Sequence, residues 1–289
     1  MTDSLRHGSG WKPNLLFGCV GWASCSTFFF ALAGHLAADQ PIFNEMPRWD
    51  DGWGYQFIYE YRTEDDLLLE DDTVASGFGE EVEVLHLEGV YTWDKSIRMT
   101  VKIPFLLDAY REFPDGAGGK RVQRDEGIGD ATVALPLKKY FNLDGRSGSW
   151  TLAPQVRIPL SGDDEYEVYD GEWGTGIGFG YETETFDYIF SIGASFWHFY
   201  GDEPFEAFAH LDVAKNLRGF GSSGHLKLEN DLQFEDNGSL TLTMGPALYW
   251  KFTDTIHSKV SWKKDVSDRQ GILDHGNGEA FKIGIGFVY

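Results

Sequence analysis

The last ten residues of the chain, AFKIGIGFVY at positions 280–289, alternate between apolar side chains and small or charged ones without a break. The side chains of a β-strand point to opposite faces with a period of two, whereas a helix would scatter these residues around its circumference. One face of the strand would carry Phe281, Ile283, Ile285, Phe287 and Tyr289, and the other Ala280, Lys282, Gly284, Gly286 and Val288. The segment therefore predicts a strand with one fully apolar face that ends on an aromatic residue.

The same alternation recurs in eleven earlier segments. They span residues 53–62, 81–93, 96–106, 127–141, 150–160, 173–181, 186–199, 205–217, 226–234, 240–250 and 256–262. Twelve is an even number, and the lengths cluster near the ~9 to 11 residues that a tilted membrane-crossing strand needs. The connections after the first, third, fifth and eleventh strands are long, and those after the second, fourth, sixth and tenth are short. This asymmetry is typical of outer-membrane barrels, and only the short ninth connection departs from it.

Length and composition narrow the classes of protein. A chain of 289 residues can form two soluble domains or one large barrel. After residue 38 no stretch reaches the ~18 apolar residues of a membrane helix, so any contact with a bilayer would be made by strands. The net charge of −22 argues against nucleic acid as a partner. We expect solvated acidic loops, including the runs 64–72 and 161–172, to account for most of this charge.

Residues 1–38 have the pattern of a signal peptide, which leaves residues 39–289 as the barrel. Arg6 and Lys12 precede a largely apolar stretch, Leu15–Leu32, and small residues follow it. Cleavage fits either the triplet at 31–33 or the one at 36–38. Cys19 and Cys25 are the only cysteines and both lie in this segment, so the mature chain would hold no disulfide and no thiol for catalysis or metal binding.

A soluble β-sandwich would show a similar alternation, with its apolar faces turned into a core. Three features favour the barrel: the export signal, charges of both signs at mid-strand on the polar face, and aromatics near the strand ends on the apolar face. These aromatics are Tyr61, Trp93, Trp150, Tyr181, Trp250, Trp262 and Tyr289. The sequence therefore predicts an all-β fold, a single antiparallel transmembrane β-barrel of about twelve strands in the outer membrane of a Gram-negative bacterium.

Some prolines fall inside candidate strands, among them Pro136, Pro154 and Pro246. Backbone amides in hydrocarbon must be paired within the protein, so a spanning sheet has to close on itself. Pro136, Pro154 and Pro246 would each delete one hydrogen bond of the ladder, and we expect bulges or bends there.

Two motifs resemble a known family. They are Gly127-Ile-Gly-Asp130, followed by Leu137-Lys-Lys-Tyr-Phe141, and Ala153-Pro-Gln-Val-Arg-Ile-Pro-Leu-Ser-Gly162. Together with the aromatic terminus they are similar to the bacterial outer-membrane family named after the meta-cleavage pathway of phenol degradation, whose members are often labelled transporters. The resemblance implies passive uptake or binding of small, often aromatic or apolar, molecules.

An outer-membrane lipid hydrolase is the alternative from another class. Such enzymes use a serine and a histidine on the lipid side of the barrel. Candidates are His257 with Ser258 and Ser195 with His198, but neither pair lies in a nucleophile motif. No spacing predicts a zinc site, and the acidic runs 64–72 and 161–172 lack the glycine placement of a calcium loop. We expect no cofactor and no catalytic residue.

The predicted function is a narrow channel or facilitator for small molecules. We expect its polar face to line the lumen, with six charged residues setting the field that a solute meets: Arg98, Lys102, Asp130, Arg157, Glu229 and Asp231. The alternative is a structural barrel in which these charges pair with one another and fill the lumen. Expected partners are outer-membrane lipid and lipopolysaccharide, the barrel assembly machinery and a small-molecule solute.

Overall fold

The computed structural model describes residues 49–115, 118–143, 146–162, 168–169, 171–201, 203–219 and 222–289, which form fourteen β-strands. The strands are β1 (Gly52–Glu70), β2 (Asp72–Asp94), β3 (Ile97–Pro114), β4 (Lys120–Ile128), β5 (Ala131–Ala134), β6 (Leu137–Leu143), β7 (Arg146–Ile158), β8 (Gly174–Glu184), β9 (Tyr188–Phe199), β10 (Glu206–Gly219), β11 (Ser222–Glu235), β12 (Leu240–Lys251), β13 (Ile256–Gly276) and β14 (Glu279–Val288). Within these ranges no helix is long and apolar enough to cross a membrane. The predicted signal peptide, residues 1–38, lies outside the described residues.

The strands close into an antiparallel barrel. Neighbours in the chain pair with one another, and β1 pairs with β14 from Gly54–Val288 to Thr63–Glu279. The three short strands β4, β5 and β6 share one position between β3 and β7, so fourteen strands fill twelve positions. Closure removes the free edges that a sheet cannot leave unpaired in lipid. The predicted twelve-stranded barrel is confirmed.

The apolar face of the barrel points outward and the charged face points inward. Phe57, Leu228 and Ile285 are 44, 48 and 43 % exposed, whereas Glu88 and Lys102 are 3 and 2 % exposed. An apolar exterior of this kind is stable in hydrocarbon and would be unstable in water. The sandwich alternative, which needs these apolar faces packed against each other, is excluded.

Aromatic residues mark both ends of the outward apolar belt. Trp150 packs on Tyr181 with ring centroids 4.6 Å apart. This pair lies near the end of the barrel that also holds Gly52 and Tyr289. At the opposite end the Tyr110 hydroxyl donates to Glu81 at 2.5 Å, and the Trp262 indole donates to Glu279 at 3.2 Å. Rings with an apolar body and a polar tip favour the membrane–water interface.

Several strands are longer than the sequence predicts. Residues 63–80, 107–126 and 265–278, expected to be long connections, instead extend β1 to Glu70, β3 to Pro114 and β13 to Gly276. Beyond the end of β14, β1 pairs directly with β13, as at Leu67–His275. These extensions carry polar residues on both faces, so they lack the alternation that identified the membrane-spanning parts. They make one end of the barrel, here called the extended rim, protrude beyond the belt; the other is the terminal rim.

Pro136, Pro154 and Pro246 affect the pairing of their strands in different ways. The predicted strand 127–141 is interrupted at Leu135–Pro136, between β5 and β6. Pro154 stays inside β7, where its carbonyl accepts a hydrogen bond from Leu135 N at 3.0 Å. In an antiparallel sheet, the N–H and C=O of one residue point to the same neighbouring strand. The N–H that Pro154 lacks would therefore point to the strand of Leu135, which is already interrupted at that place. At Pro246 the β12–β13 pairing runs to Met244–Lys264 and resumes at Ala247–Ser261.

Candidate functional site in the barrel lumen

All six charged residues predicted to line the lumen lie on the inner face of the barrel. Arg98, Lys102, Asp130, Arg157 and Glu229 are 2 to 5 % exposed, and the Asp231 side chain is 41 % exposed. Glu229 and Asp231 belong to one cluster on β11, whereas the other four lie apart on the β3 to β7 wall. That they form a solute pathway stays a prediction.

A cavity of about 200 Å³ occupies one side of the lumen. Its walls come from β1, β2 and β10 to β14. Among the described residues it is lined by eleven Asp and Glu side chains and by five Lys and Arg side chains. The wall is therefore ionic, with carboxylates in excess.

Three lysines surround Glu229 on this wall. Lys259 and Lys263 approach its carboxylate at 2.7 and 3.0 Å, and Lys227 at 3.3 Å. Lys263 also contacts Asp231, and Lys227 lies 3.3 Å from Asp212. Buried carboxylates and ammonium groups are stable only when paired in this way, because each loses its hydration. The sequence places these lysines on the polar faces of their strands, but the approach of Lys259 and Lys263 to Glu229 follows only from the register of β11 with β12 and of β12 with β13.

A second network lies where the barrel closes. Glu60 on β1 contacts His86 on β2 at 2.8 Å and Lys282 on β14 at 3.2 Å. The three strands adjacent at the closure are thus joined by side chains as well as by the backbone ladder. Lys102 lies opposite Glu88 in the neighbouring β2–β3 pairing.

A third network lies in the extended rim. The Arg111 guanidinium is 3.1 Å from Glu80 and 3.8 Å from Asp274, and His275 Nδ1 is 3.3 Å from Glu80. Glu80, Asp274 and His275 lie close enough together to hold a metal ion, but Arg111 already supplies a cation to both carboxylates. The arrangement is that of an ion-pair cluster. On the outer surface of the same rim, the hydrogen bond from the Lys120 ammonium lowers the pKa of the Glu112 carboxyl.

A segment of the long β7–β8 connection enters the barrel. Val168 and Tyr169 are 3 and 6 % exposed, and they pack against inward-facing apolar side chains of β2 and β3. These side chains are Val82, Val84, Leu106 and Ala109. The acidic run 161–172 is predicted above to be a solvated loop, and for Val168–Tyr169 that expectation is wrong. These two residues give no periodic signal in the sequence, which explains why it does not reveal them.

Asp130 holds this segment and the end of β7 together. Its Oδ1 accepts hydrogen bonds from Leu160 N at 3.0 Å, Ser161 N at 3.2 Å and Ser161 Oγ at 2.9 Å. Its Oδ2 accepts one from Gly171 N at 3.1 Å. Both carboxylate oxygens are directed at the polypeptide chain, so Asp130 contributes to the structure of the connection as well as to the charge of the lumen.

Arg157 lies among aromatic rings on the wall opposite the cavity. It donates to Glu203 at 2.7 and 2.9 Å, and its guanidinium carbon is 4.3 Å from the centroid of Phe199. The inward glycines of β8 make room for these rings: a Cβ on Gly174 would be 2.7 Å from Phe199, and one on Gly176 would be 2.7 Å from Trp197. The bulk of the neighbouring rings therefore explains the glycines at these two positions.

Arg98 lies near the terminal rim. Its guanidinium carbon is 4.5 Å from the centroid of the Trp49 ring, and its Nε donates to Thr92 at 3.3 Å. The stacking places Trp49, which precedes β1, against the inner wall.

The serine and histidine pairs considered for catalysis are separated by the sheet. His257 faces the lumen, where its ring lies 3.3 Å from the Gln56 side chain, and the adjacent Ser258 points to the other face. Ser195 faces inward and is fully buried, whereas His198, three residues later, points outward. Neither pair can form the serine–histidine hydrogen bond of a hydrolase.

The barrel resembles a solved outer-membrane channel in its fold. It is similar to the crystal structure of an outer membrane channel from Pseudomonas putida F1, with a TM-score of 0.67 and 15 % identity over 87 % of this chain and 100 % of that chain. The KdgM porin is a more distant likeness, at a TM-score of 0.45 and 7 % identity over 81 % of this chain and 99 % of that chain. The same holds for OpdK of Pseudomonas aeruginosa with vanillate, at a TM-score of 0.37 and 7 % identity over 81 % of this chain and 97 % of that chain.

No protein-family model matches the sequence, and the search of curated proteins finds no match. The first structural likeness shows the fold of an outer-membrane barrel. The closed sheet and the outward apolar belt agree with it. The chain is an outer-membrane β-barrel of the Gram-negative type, as predicted.

Proposed function

We propose that the barrel is a passive channel for small solutes across the outer membrane. The cavity of about 200 Å³ among charged side chains is the observation that carries this proposal. A cavity of about 150 Å³ holds one benzene molecule. The lumen therefore suits solutes of about one ring, and the extended rim would face outward in accordance with the usual asymmetry of these barrels.

The wall of the cavity favours cations. Eleven carboxylates against five Lys and Arg side chains leave a negative excess, and rings of acidic side chains select cations in channels. The resemblance to the meta-cleavage family implies aromatic solutes. Combining the two, we propose single-ring or similarly small solutes, with cations preferred over anions.

The alternative of a filled barrel rests on the pairing of the lumen charges. Glu229, for example, contacts three lysines and has only 4 % of its surface exposed. If these pairs occupied the whole lumen, no solute would pass. The separated serine and histidine pairs favour a channel over an enzyme, and we propose no catalytic role.

The remaining proposals concern export and assembly. We propose that residues 1–38 are removed after export, and that the assembly machinery recognises the terminal strand that ends at Tyr289. Outer-membrane lipid would cover the apolar belt, and lipopolysaccharide would surround the extended rim.

Solute flux into vesicles tests the channel. Purified protein in phosphatidylcholine vesicles is supplied with phenyltrimethylammonium, benzenesulfonate or arabinose, which carry a permanent positive charge, a permanent negative charge and no charge. We expect uptake of all three above protein-free vesicles, with the aromatic cation several-fold faster than the aromatic anion because of the acidic wall. Equal rates would contradict the charge preference, and no uptake of any solute would establish the filled barrel.

A further inference from the structure

We infer that Gly129 and Asp130 form the site, here called the seat, that holds the inward segment Val168–Tyr169 in the barrel. We also infer that the segment, when bound in this seat, sets the size limit of the channel. The inference rests on the proposed function, because a size limit has meaning only for a conducting lumen. It assigns a structural task to the Gly127–Asp130 motif, which the sequence singles out and which does not line the cavity of about 200 Å³.

The polar half of the seat is Asp130. Its carboxylate accepts four hydrogen bonds, three from Leu160 and Ser161 before the inward segment and one from Gly171 after it. One buried side chain thus fixes both ends of the connection that enters the barrel. Asp125, five residues earlier on β4, adds a fifth bond by accepting from Val168 N at 2.9 Å.

The apolar half of the seat is Gly129. A Cβ at this position would lie 2.3 Å from Tyr169 Cδ2 and 2.4 Å from Cε2, a separation at which the ring would have to move. Only a glycine lets the Tyr169 ring lie directly on the backbone here. Gly129 and Asp130 fall between β4 and β5, where the regular ladder is interrupted, although Gly129 N still donates a hydrogen bond to the Pro104 carbonyl of β3 at 3.0 Å.

The inner wall beneath the segment is also specialised for it. Val82 and Val84 point inward on β2 between Glu80 and His86, in a lumen whose other inward positions on this strand include charged side chains. Left uncovered, these valines would form an apolar patch on an aqueous wall. Val168 and Tyr169 cover them, together with Leu106 and Ala109.

The seated segment occupies part of the cross-sectional area of the lumen, next to β2 and β3. The cavity proposed as the pathway is lined by β1, β2 and β10 to β14, so it shares the wall of β2 with the segment. The width left for a solute therefore depends on the segment staying in its seat. Releasing it would widen the lumen without altering the lysine cluster around Glu229.

Thiol labelling measures whether the segment is seated, and it needs no channel activity. Because residues 39–289 hold no cysteine, Val168→Cys gives one reporter there, in a side chain that is 3 % exposed. We expect a small methanethiosulfonate reagent to label it at least about tenfold faster when Asp130→Ala is added, the factor for losing little more than one net hydrogen bond. We also expect faster labelling with Gly129→Ala, because the added Cβ would displace the Tyr169 ring. Gly162→Ala is the matched control, since a Cβ there meets nothing within 4 Å and labelling should stay slow.

Vesicle uptake of glucose, sucrose and raffinose then measures the size limit in the same variants without the reporter cysteine. We expect Asp130→Ala, Gly129→Ala and Tyr169→Ala to admit larger sugars than the wild type and Gly162→Ala do. Tyr169→Ala keeps Asp130 intact, so it tests the segment even if Asp130→Ala fails to show the heat-modifiable gel migration of a folded barrel.

The outcomes separate the two proposals. Unchanged labelling in folded Asp130→Ala and Gly129→Ala would overturn the seat. Faster labelling with an unchanged sugar cutoff in all three variants would overturn the size limit. No uptake of any sugar by any protein, with faster labelling, would overturn the channel and the size limit with it, while the seat would stand.

Discussion

Phe57→Lys is expected to lower the free energy of unfolding of the barrel by about 2–4 kcal/mol, the cost of a lysine at the bilayer midplane on the lipid face of a barrel. Phe57 lies midway between the aromatics at the two ends of the spanning part of β1, Trp53 and Tyr61, and its ring is 44 % exposed to the outside. Its backbone neighbours, Leu87 and Ile285, are also apolar, so the new ammonium would have no carboxylate beside it.

The adjacent residue provides a matched control. Gln56 points inward and pairs in register with Glu88, so Gln56→Lys puts the same charge beside a carboxylate in the lumen. We expect its cost to stay well below that of Phe57→Lys when both are unfolded with guanidinium chloride in lipid vesicles. Equal costs would mean that the two faces of β1 meet the same environment, and the assignment of inside and outside would be wrong.

Glu229→Gln is expected to have the second large effect, on stability and on selectivity together. The change leaves three lysines within reach of a neutral amide, and removing one partner of a buried ion pair costs about 3–5 kcal/mol. We expect about 3 kcal/mol, since Lys259 is 27 % exposed and keeps part of its hydration. The local charge becomes more positive, so the current should shift toward anions.

The double variant Glu229→Gln with Lys259→Gln tests whether charge balance is the cause. It removes one carboxylate and one ammonium that lie 2.7 Å apart. Stability by denaturant unfolding and selectivity by ion currents should both move back toward the wild type. A double variant less stable than Glu229→Gln alone would show that Lys259 stabilises the barrel by another route.

The membrane-spanning part of the fold could be predicted because lipid imposes a simple rule. Every outward residue such as Phe57 or Ile285 must be apolar and every second residue faces the lumen, so the pattern has a period of two. Above the belt the rule no longer applies: on β1 the consecutive residues Leu67 and Leu68 are both buried, whereas Leu69 is 44 % exposed. The extended rim was therefore expected to be loop, although its backbone continues the strands.

The candidate site was predictable only in part. Alternation puts Glu229 and Lys263 on inner faces, but their contact depends on how three strands are staggered around the barrel, which no single strand encodes. The position of Tyr169 was the hardest to predict, because this residue enters the lumen from a connection rich in Asp and Glu. The one local signal was the glycine and aspartate at 129 and 130, whose partners lie thirty to forty residues further along the chain.

The reversal potential of the purified protein in a planar bilayer, measured across a gradient of KCl, tests most directly whether the lumen conducts and which charge its wall prefers. The eleven carboxylates and five cationic side chains of the cavity predict a small current with a potential of the sign that potassium movement produces. A folded barrel that carries no current, or one whose potential has the sign of chloride movement, would contradict the proposed channel.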